Sequence, residues 1–178
     1  MHVGLLRHGE TLLPGRYCGR TDVLLSEQGH SAMSAVLAGS SWQRVISSPL
    51  SRCAHFAQAY AADHGIAGAL DARWCELDFG EWENSSAAKL QARDAQRLGD
   101  FWRDPLANPP PGGERLQSLQ ARVSAAWEEA LTQAREENLL IVTHGGPLRV
   151  LLAQQRGLPL GQCLQMEVPL ASLRLIEC

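Results

Sequence analysis

No two cysteines of this chain stand at the CxxC spacing. Cys18, Cys53, Cys75, Cys163 and Cys178 are scattered, which argues against a zinc knuckle or a redox dithiol and reads as a set of reduced thiols. No apolar run is long enough to span a bilayer, and the strand-like HVGLL follows the first residue without the basic start and apolar stretch of a signal peptide; a cytoplasmic protein is expected. Excess positive charge is also missing. Sixteen Lys plus Arg against 19 Asp plus Glu leave a net charge of −3, with no bulk attraction for nucleic acid or an acidic membrane, so any anion site must be local. Repeats and low-complexity tracts are absent, and no aspartate cluster looks built to hold a magnesium ion. The expectation is therefore an enzyme with no cofactor and no metal. What is present is a chain of 178 residues, 45% apolar, long enough for one well-buried core and short for two domains. We read residues 1–178 as a single domain; the sequence leaves a homodimer open.

Residues 2–6 form a short apolar run that ends at the polar RHGET segment, as a buried strand would. SEQGHSAMSAVLA, from Ser26 to Ala38, opens on a capping-type Ser and predicts a helix that Gly29 weakens. Arg44–Ser47 carries the β-branched Val45 and Ile46, and the SSP after it predicts a capped helix from about Leu50 to His64. LLIVT at 139–143 is the clearest strand, broken by His144, Gly145, Gly146 and Pro147 before the helical LRVLLAQQR. Between Glu114 and Asn138, Leu116, Leu119, Val123, Trp127 and Leu131 recur at helical spacing and predict one long amphipathic helix. The tail from Cys163 to Cys178 alternates well enough to suggest closing strands at an antiparallel edge.

Three strand-to-helix units imply an α/β fold, a three-layer α/β/α sandwich whose mainly parallel central sheet carries its site at the strands' carboxyl ends. Residues 83–113, polar at first and ending in the turn-rich NPPPGGE, break this rhythm and read as a small inserted lid.

That topology gathers Arg7, His8, Ser48, Arg52 and His144 on one rim. Two arginines and two histidines would repel one another unless an anion sat among them. Guanidinium groups match the oxygens of a phosphate monoester with paired, charge-assisted hydrogen bonds, a task that suits Arg7 and Arg52. Two arginines and an imidazole spread over the phosphoryl oxygens would meet its charge without a metal ion. For His8 to attack phosphorus, one ring nitrogen must be free while the other donates to an acceptor such as a backbone carbonyl. An alkoxide leaving group also needs a proton, a step worth roughly 10² to 10⁴ in rate. Glu76 in WCELDFGEWE is the chosen acid, placed after a plausible strand and before the Asp78, Phe79, Gly80 turn; Asp78, Glu81 and Glu83 compete with it. Gly145 or Gly146 could offer a backbone amide to phosphate at a helix start, Gly145 being preferred. Trp82 and Trp102 could stack on a flat aglycone, although packing is the commoner role of such residues. His2, His30, His55 and His64 lack a strand-exit context and are assigned nothing.

LLRHGET (5–11), SSPLSRC (47–53), ELDFGEWE (76–83) and THGGPLR (143–149) together resemble the histidine phosphatase superfamily, also called the phosphoglycerate mutase-like family. The resemblance implies His8 as phosphohistidine, Arg7, Arg52 and His144 as the phosphate pocket, and Glu76 as proton donor. DFGEWE and FWRDPLANPPPGGE (101–114) are most similar to the alpha-ribazole phosphatase branch, which implies a small phosphorylated metabolite of the cobalamin pathway as substrate. The longer cap of the mutases is not visible, which argues for hydrolysis. Pro14 stands where family members often place Asn, and SRCAHFA lacks the usual Thr-Ala pair after the second Arg, so contacts at Cys18 and Gly19 differ from the pattern. The alternatives are a mutase-type phosphotransferase, a broad-specificity sugar-phosphate phosphatase, and, in another class, a non-catalytic binder of phosphorylated ligands.

Overall fold

A computed structural model describes residues 1–177. In it β1 (His2–Arg7) leads to α1 (Glu27–Leu37), β2 (Arg44–Ser47) to α2 (Ser51–His64), and β3 (Ala67–Leu70) to α3 (Ala87–Arg103) and α4 (Leu116–Gln133); β4 (Leu139–Thr143) leads to α5 (Gly145–Gln155), and β5 (Leu173–Glu177) closes the chain. The strands make one sheet in the order β3-β2-β4-β1-β5. All neighbours are parallel except β5, which runs antiparallel to β1 at the edge. The expected α/β/α layering and the three strand-to-helix units are therefore present.

Alternation along the strands decides which helices pack where, because successive side chains point to opposite faces. Val3, Leu5, Ile46, Leu139 and Ile141 share one core with Leu119, Val123 and Ala126 of α4, with Leu148 and Leu151 of α5, and with Leu90, Leu98 and Phe101 of α3. Leu6, Val45, Leu140 and Val142 face the other way, onto Met33 and Leu37 of α1 and Cys53, Phe56 and Ala57 of α2. Each such aliphatic side chain contributes about 1.5–3 kcal/mol by leaving water. Residues 83–113, expected as a lid, thus contain a helix that sends three large side chains into the main core. Among the described residues no helix is long and apolar enough to cross a membrane.

Gly29 has a use that its helix position hides. A Cβ there would lie 2.1 Å from the Glu10 carbonyl oxygen, and one on Gly9 would lie 2.2 Å from the Gly29 carbonyl oxygen. The first turn of α1, capped by Ser26 Oγ accepting from Gly29 N at 3.0 Å, therefore packs backbone to backbone on the RHGET loop.

Three expectations are corrected. No Ser side chain caps α2; Asp22 from the preceding loop accepts the Ser51 amide at 2.7 Å and its hydroxyl at 2.7 Å. α4 stops at Gln133 rather than Asn138. The tail holds one strand, not several, and Cys163 lies in a 3-10 turn, Leu160–Gln165. β3 was not foreseen, because AGAL carries neither β-branched residues nor burial. Cys18, Cys53, Cys75 and Cys163 are free thiols; Cys178 lies outside the described residues.

Candidate active site

At the carboxyl ends of β1 and β4 a cleft of about 320 Å³ is lined by Arg7, His8, Arg52, Glu76 and Arg149 at its polar end and by Leu13, Pro14, Tyr17, Phe79, Trp102 and Leu170 on the apolar side. The strand exits bring Arg7, His8, Arg52 and His144 together as the topology required.

His8 directly follows β1 and is buried. Its Nδ1 lies 2.8 Å from the Gly9 carbonyl oxygen. A carbonyl only accepts, so Nδ1 carries the proton and Nε2 is the lone-pair nitrogen. Burial first, then the Arg52 and Arg7 charges, push its pKa down to about 3 against the opposing Gly9 bond, so the ring is neutral at pH 7. That is the tautomer and charge a nucleophile needs.

Arg7 donates through Nη1 to the Val168 carbonyl, while its buried Nε has no hydrogen-bond partner among the described residues. Leaving a charged donor unsatisfied in the interior is costly, and an anion in the cleft would relieve it. Arg52 is differently placed: it donates to the carbonyls of Thr21 at 2.9 Å, Cys18 at 2.8 Å and Gly19 at 2.9 Å, and through Nε to His144 Nδ1 at 3.1 Å. His144 must accept there, so its Nε2–H donates to Ser48 Oγ at 2.7 Å. Burial, Arg52 and His8 hold the His144 ring well below its ordinary pKa. His144 packs edge-on to His8 with centroids 5.2 Å apart. Both of its nitrogens face protein groups, so in this geometry it orients Arg52 and shapes the cleft, and direct contact with phosphate would require exchange of the Ser48 bond.

Glu76 lines the cleft. It comes after β3, with a 3-10 turn, Ala72–Trp74, standing between them. Oε1 accepts from Leu77 N at 2.8 Å and from Gly146 N at 2.9 Å, in the first turn of α5. A Cβ on Gly146 would lie 2.1 Å from that oxygen. Gly146, not Gly145, is thus the glycine whose amide and bareness serve the carboxyl group. Gly145 instead leaves room for two guanidinium groups: its Cβ would meet Arg149 Nη1 at 2.9 Å and Arg7 Nε at 3.4 Å.

Of the substrate contacts, Cys18 lines the cleft, whereas Gly19 does not; a Cβ on Gly19 would meet the Leu77 carbonyl oxygen at 2.0 Å. Trp82 is 0% exposed, donates to Asp94 Oδ2 at 3.1 Å and packs edge-on to Phe101. It is a core residue, and its assignment as a substrate contact is corrected. Trp102, 49% exposed, lines the cleft mouth with its indole N–H 3.3 Å from the Tyr17 hydroxyl.

Three residues escaped the sequence reading. Glu83 was weighed only as a competing acid, yet its carboxylate accepts from the amides of Gly19 at 3.1 Å, Arg20 at 2.9 Å, Thr21 at 2.9 Å and Phe79 at 3.0 Å, and from the Thr21 hydroxyl. Burial opposes its charge, but the Thr21 side chain and these amides hold its pKa below the usual range. Arg149, in THGGPLR, brings a further guanidinium to the cleft beside those of Arg7, Arg16 and Arg52, and donates to the Met166 carbonyl at 2.9 Å. Arg122 touches the main chain at Glu76. Only Arg149 had a signal, its position one helical turn after Gly145.

With this geometry in hand, comparison with known proteins is direct. Residues 3–178 match the model of the histidine phosphatase superfamily (branch 1), and the chain belongs to that family. The bifunctional protein Rv2228c of Mycobacterium tuberculosis is 32% identical over 97% of this chain, which spans only 49% of that relative's length. The adenosylcobalamin/alpha-ribazole phosphatase of Escherichia coli is 29% identical over 89% of this chain and 81% of its own. A 2,3-bisphosphoglycerate-dependent phosphoglycerate mutase of Brucella melitensis is 30% identical over 92% and 85%. Among solved structures, Bacillus stearothermophilus YhfR superposes with a TM-score of 0.89 at 27% identity over 99% of this chain and 90% of that one. The alpha-ribazole phosphatase of Shigella flexneri gives 0.85 at 27% identity with the same coverage.

Proposed function

We propose that the chain hydrolyses phosphate monoesters by passing the phosphoryl group to Nε2 of His8 and then to water. The observation that carries this reading is the meeting, in one cleft, of a neutral His8 held by Gly9 through Nδ1 and a buried Arg7 Nε with no partner among the described residues. In the first step the His8 lone pair forms a bond to phosphorus while the ester P–O bond breaks, and the leaving oxygen takes the proton of the Glu76 carboxyl group. In the second, water attacks the phosphohistidine, gives its proton to the Glu76 carboxylate, and the P–N bond breaks to release inorganic phosphate. Arg7, Arg52 and Arg149 meet the charge on the phosphoryl oxygens, and His144 keeps Arg52 aimed.

Alpha-ribazole 5'-phosphate is the substrate we propose. Similarity to the E. coli and Shigella proteins of that name supports it, as does a cleft mouth with Trp102 and Leu170, 49% and 46% exposed, suited to a flat apolar aglycone. A mutase-type phosphotransferase is the second reading, favoured by the 30% identity to the Brucella mutase.

The test is catalytic efficiency on alpha-ribazole 5'-phosphate, 3-phosphoglycerate, fructose 2,6-bisphosphate and p-nitrophenyl phosphate, with EDTA throughout. Preference for the ribazole ester supports the full reading. Broad, weak hydrolysis keeps the chemistry and removes the named substrate; isomerised phosphoglycerate without phosphate release supports the mutase. Full activity in His8→Ala, or tight binding without turnover, overturns the phosphohistidine mechanism.

A further inference from the structure

We propose that Arg122, paired with Glu114, is a positioning residue for proton transfer by Glu76; this rests on the reading of Glu76 as the acid. Arg122 projects from α4. Its Nε and Nη2 meet Glu114 Oε1 and Oε2 at 2.7 and 2.8 Å, a two-pronged ion pair, with side chains only 16% and 13% exposed. The same guanidinium donates to three main-chain carbonyls at and just before Glu76: Arg73 and Cys75 at 2.7 Å each through Nη1, and Glu76 itself at 3.0 Å through Nη2. Glu114 also ties its own amide to the Asp78 carbonyl at 2.9 Å. Segment 73–78 is therefore gripped along its carbonyl side by one ion pair.

The grip completes the hold on a segment fixed at its start, where the Trp74 carbonyl accepts from Thr143 Oγ1 at 2.7 Å and the Trp74, Cys75 and Leu77 side chains are buried. The segment leaves the 3-10 turn at Trp74, and Cys75 is already extended at φ −61°, ψ 156°; beyond Trp74, the carbonyls of Cys75 and Glu76 are taken by Arg122. The Glu76 carboxyl group is anchored at its far end by Leu77 N and Gly146 N. The carboxyl position thus depends both on the main chain of 73–78, held by Arg122 of α4 and by Thr143, and on the Gly146 amide at the start of α5. Lysine has the charge but neither the fork that fits Glu114 nor enough donors in the right directions for three carbonyls. A shift of the acid by about 1 Å costs on the order of 10² in rate, and in the phosphorylation step only where the leaving group needs the proton.

The test exploits that last condition. Arg122→Lys and Glu114→Gln are assayed on the best alkyl ester among alpha-ribazole 5'-phosphate and 3-phosphoglycerate, and on 2,4-dinitrophenyl phosphate, whose leaving group departs without protonation. We expect kcat/KM, which reports the phosphorylation step and not the later hydrolysis of phosphohistidine, to fall on the alkyl ester by about 10- to 100-fold for Arg122→Lys and less for Glu114→Gln, with kcat/KM on the dinitrophenyl ester within about threefold of the parent. Equal loss of kcat/KM on both esters would mark a merely structural role and overturn the proposal, as would no loss on either. Should Arg122→Lys fail to fold, Glu114→Gln decides by the same comparison. Glu76→Gln is the control: if it spares the alkyl ester, the reading of Glu76 as acid fails, separately from the role of Arg122.

Discussion

Glu83 and Arg52 hold the same short loop from opposite sides. The Glu83 carboxylate takes the amides of Gly19, Arg20 and Thr21, while the Arg52 guanidinium takes the carbonyls of Cys18, Gly19 and Thr21. Opposite charges that never touch are thus coupled through one stretch of peptide, and Arg52 is aimed at the cleft by a residue on its far side. Glu83→Gln keeps the shape and loses the charge. It should cost about 1.5–3 kcal/mol at pH 7 in urea unfolding, as charge-assisted hydrogen bonds do. Because the folded Glu83 pKa is depressed, its contribution is present above the ordinary carboxylate range and fades as pH falls through it. The gap between variant and parent should therefore close in acid; a gap independent of pH would show that shape alone matters.

His8 should leave a clear mark on the pH profile. With its pKa lowered to about 3 by burial and the neighbouring Arg52 and Arg7, the nucleophile is unprotonated throughout pH 5–8, and kcat/KM on dinitrophenyl phosphate should show no acid limb near 6.5 from this group. The sign for stability follows: below 6.5 the unfolded chain binds a proton that the folded His8 refuses, so stability drops as pH falls from 6.5 toward 3. His8→Asn should lose activity and shed part of that acid sensitivity. An acid fall in stability as steep in His8→Asn as in the parent, read by unfolding, would contradict this, since the buried His144 alone should leave a smaller one.

Gly145 and Gly146 stand side by side at the start of α5 and should fail differently. Gly146→Ala pushes a methyl group against Glu76 Oε1, so kcat on alkyl esters should fall on the order of 10² with little change in KM. Gly145→Ala crowds Arg149 and Arg7 instead, and the inhibition constant for inorganic phosphate should rise about tenfold, the loss of a charge-assisted hydrogen bond. Steady-state kinetics with phosphate inhibition distinguishes them; identical defects would refute the division of labour.

Trp102 is exposed at the mouth, so its removal should cost little stability. Trp102→Ala should raise KM for alpha-ribazole 5'-phosphate about tenfold, in line with about 1–3 kcal/mol for stacking on a flat ring, and leave KM for 3-phosphoglycerate unchanged. Equal effects on both substrates would remove Trp102 from specificity.

How much of this was legible beforehand depends on where the information resides. Arg7, His8, Arg52 and His144 could be found because each follows a strand whose apolar run is visible, and a parallel sheet collects strand exits on one rim. Trp82 misled because a tryptophan beside DFGEWE looks the same whether it faces the cleft or the core; its partner Asp94 is twelve residues away. Gly29 read as a weakness because the backbone of Gly9 and Glu10, against which it packs, is distant in sequence. Arg122 and Glu114 looked like polar residues on and beside an amphipathic helix, since nothing local reveals that the carbonyls of 73–76 await them. The catalytic groups are local signals; the residues that aim them are tertiary ones.

The antiparallel closure of the sheet pairs His2 with Glu177, at the foot of β1, whereas Arg7 and His8 sit at its head. Both ends of the described chain therefore leave the fold together, at the pole away from the cleft. A tether to a bead, a reporter or a second folded unit at either end would hold the molecule by its base, with the cleft mouth turned toward incoming substrate.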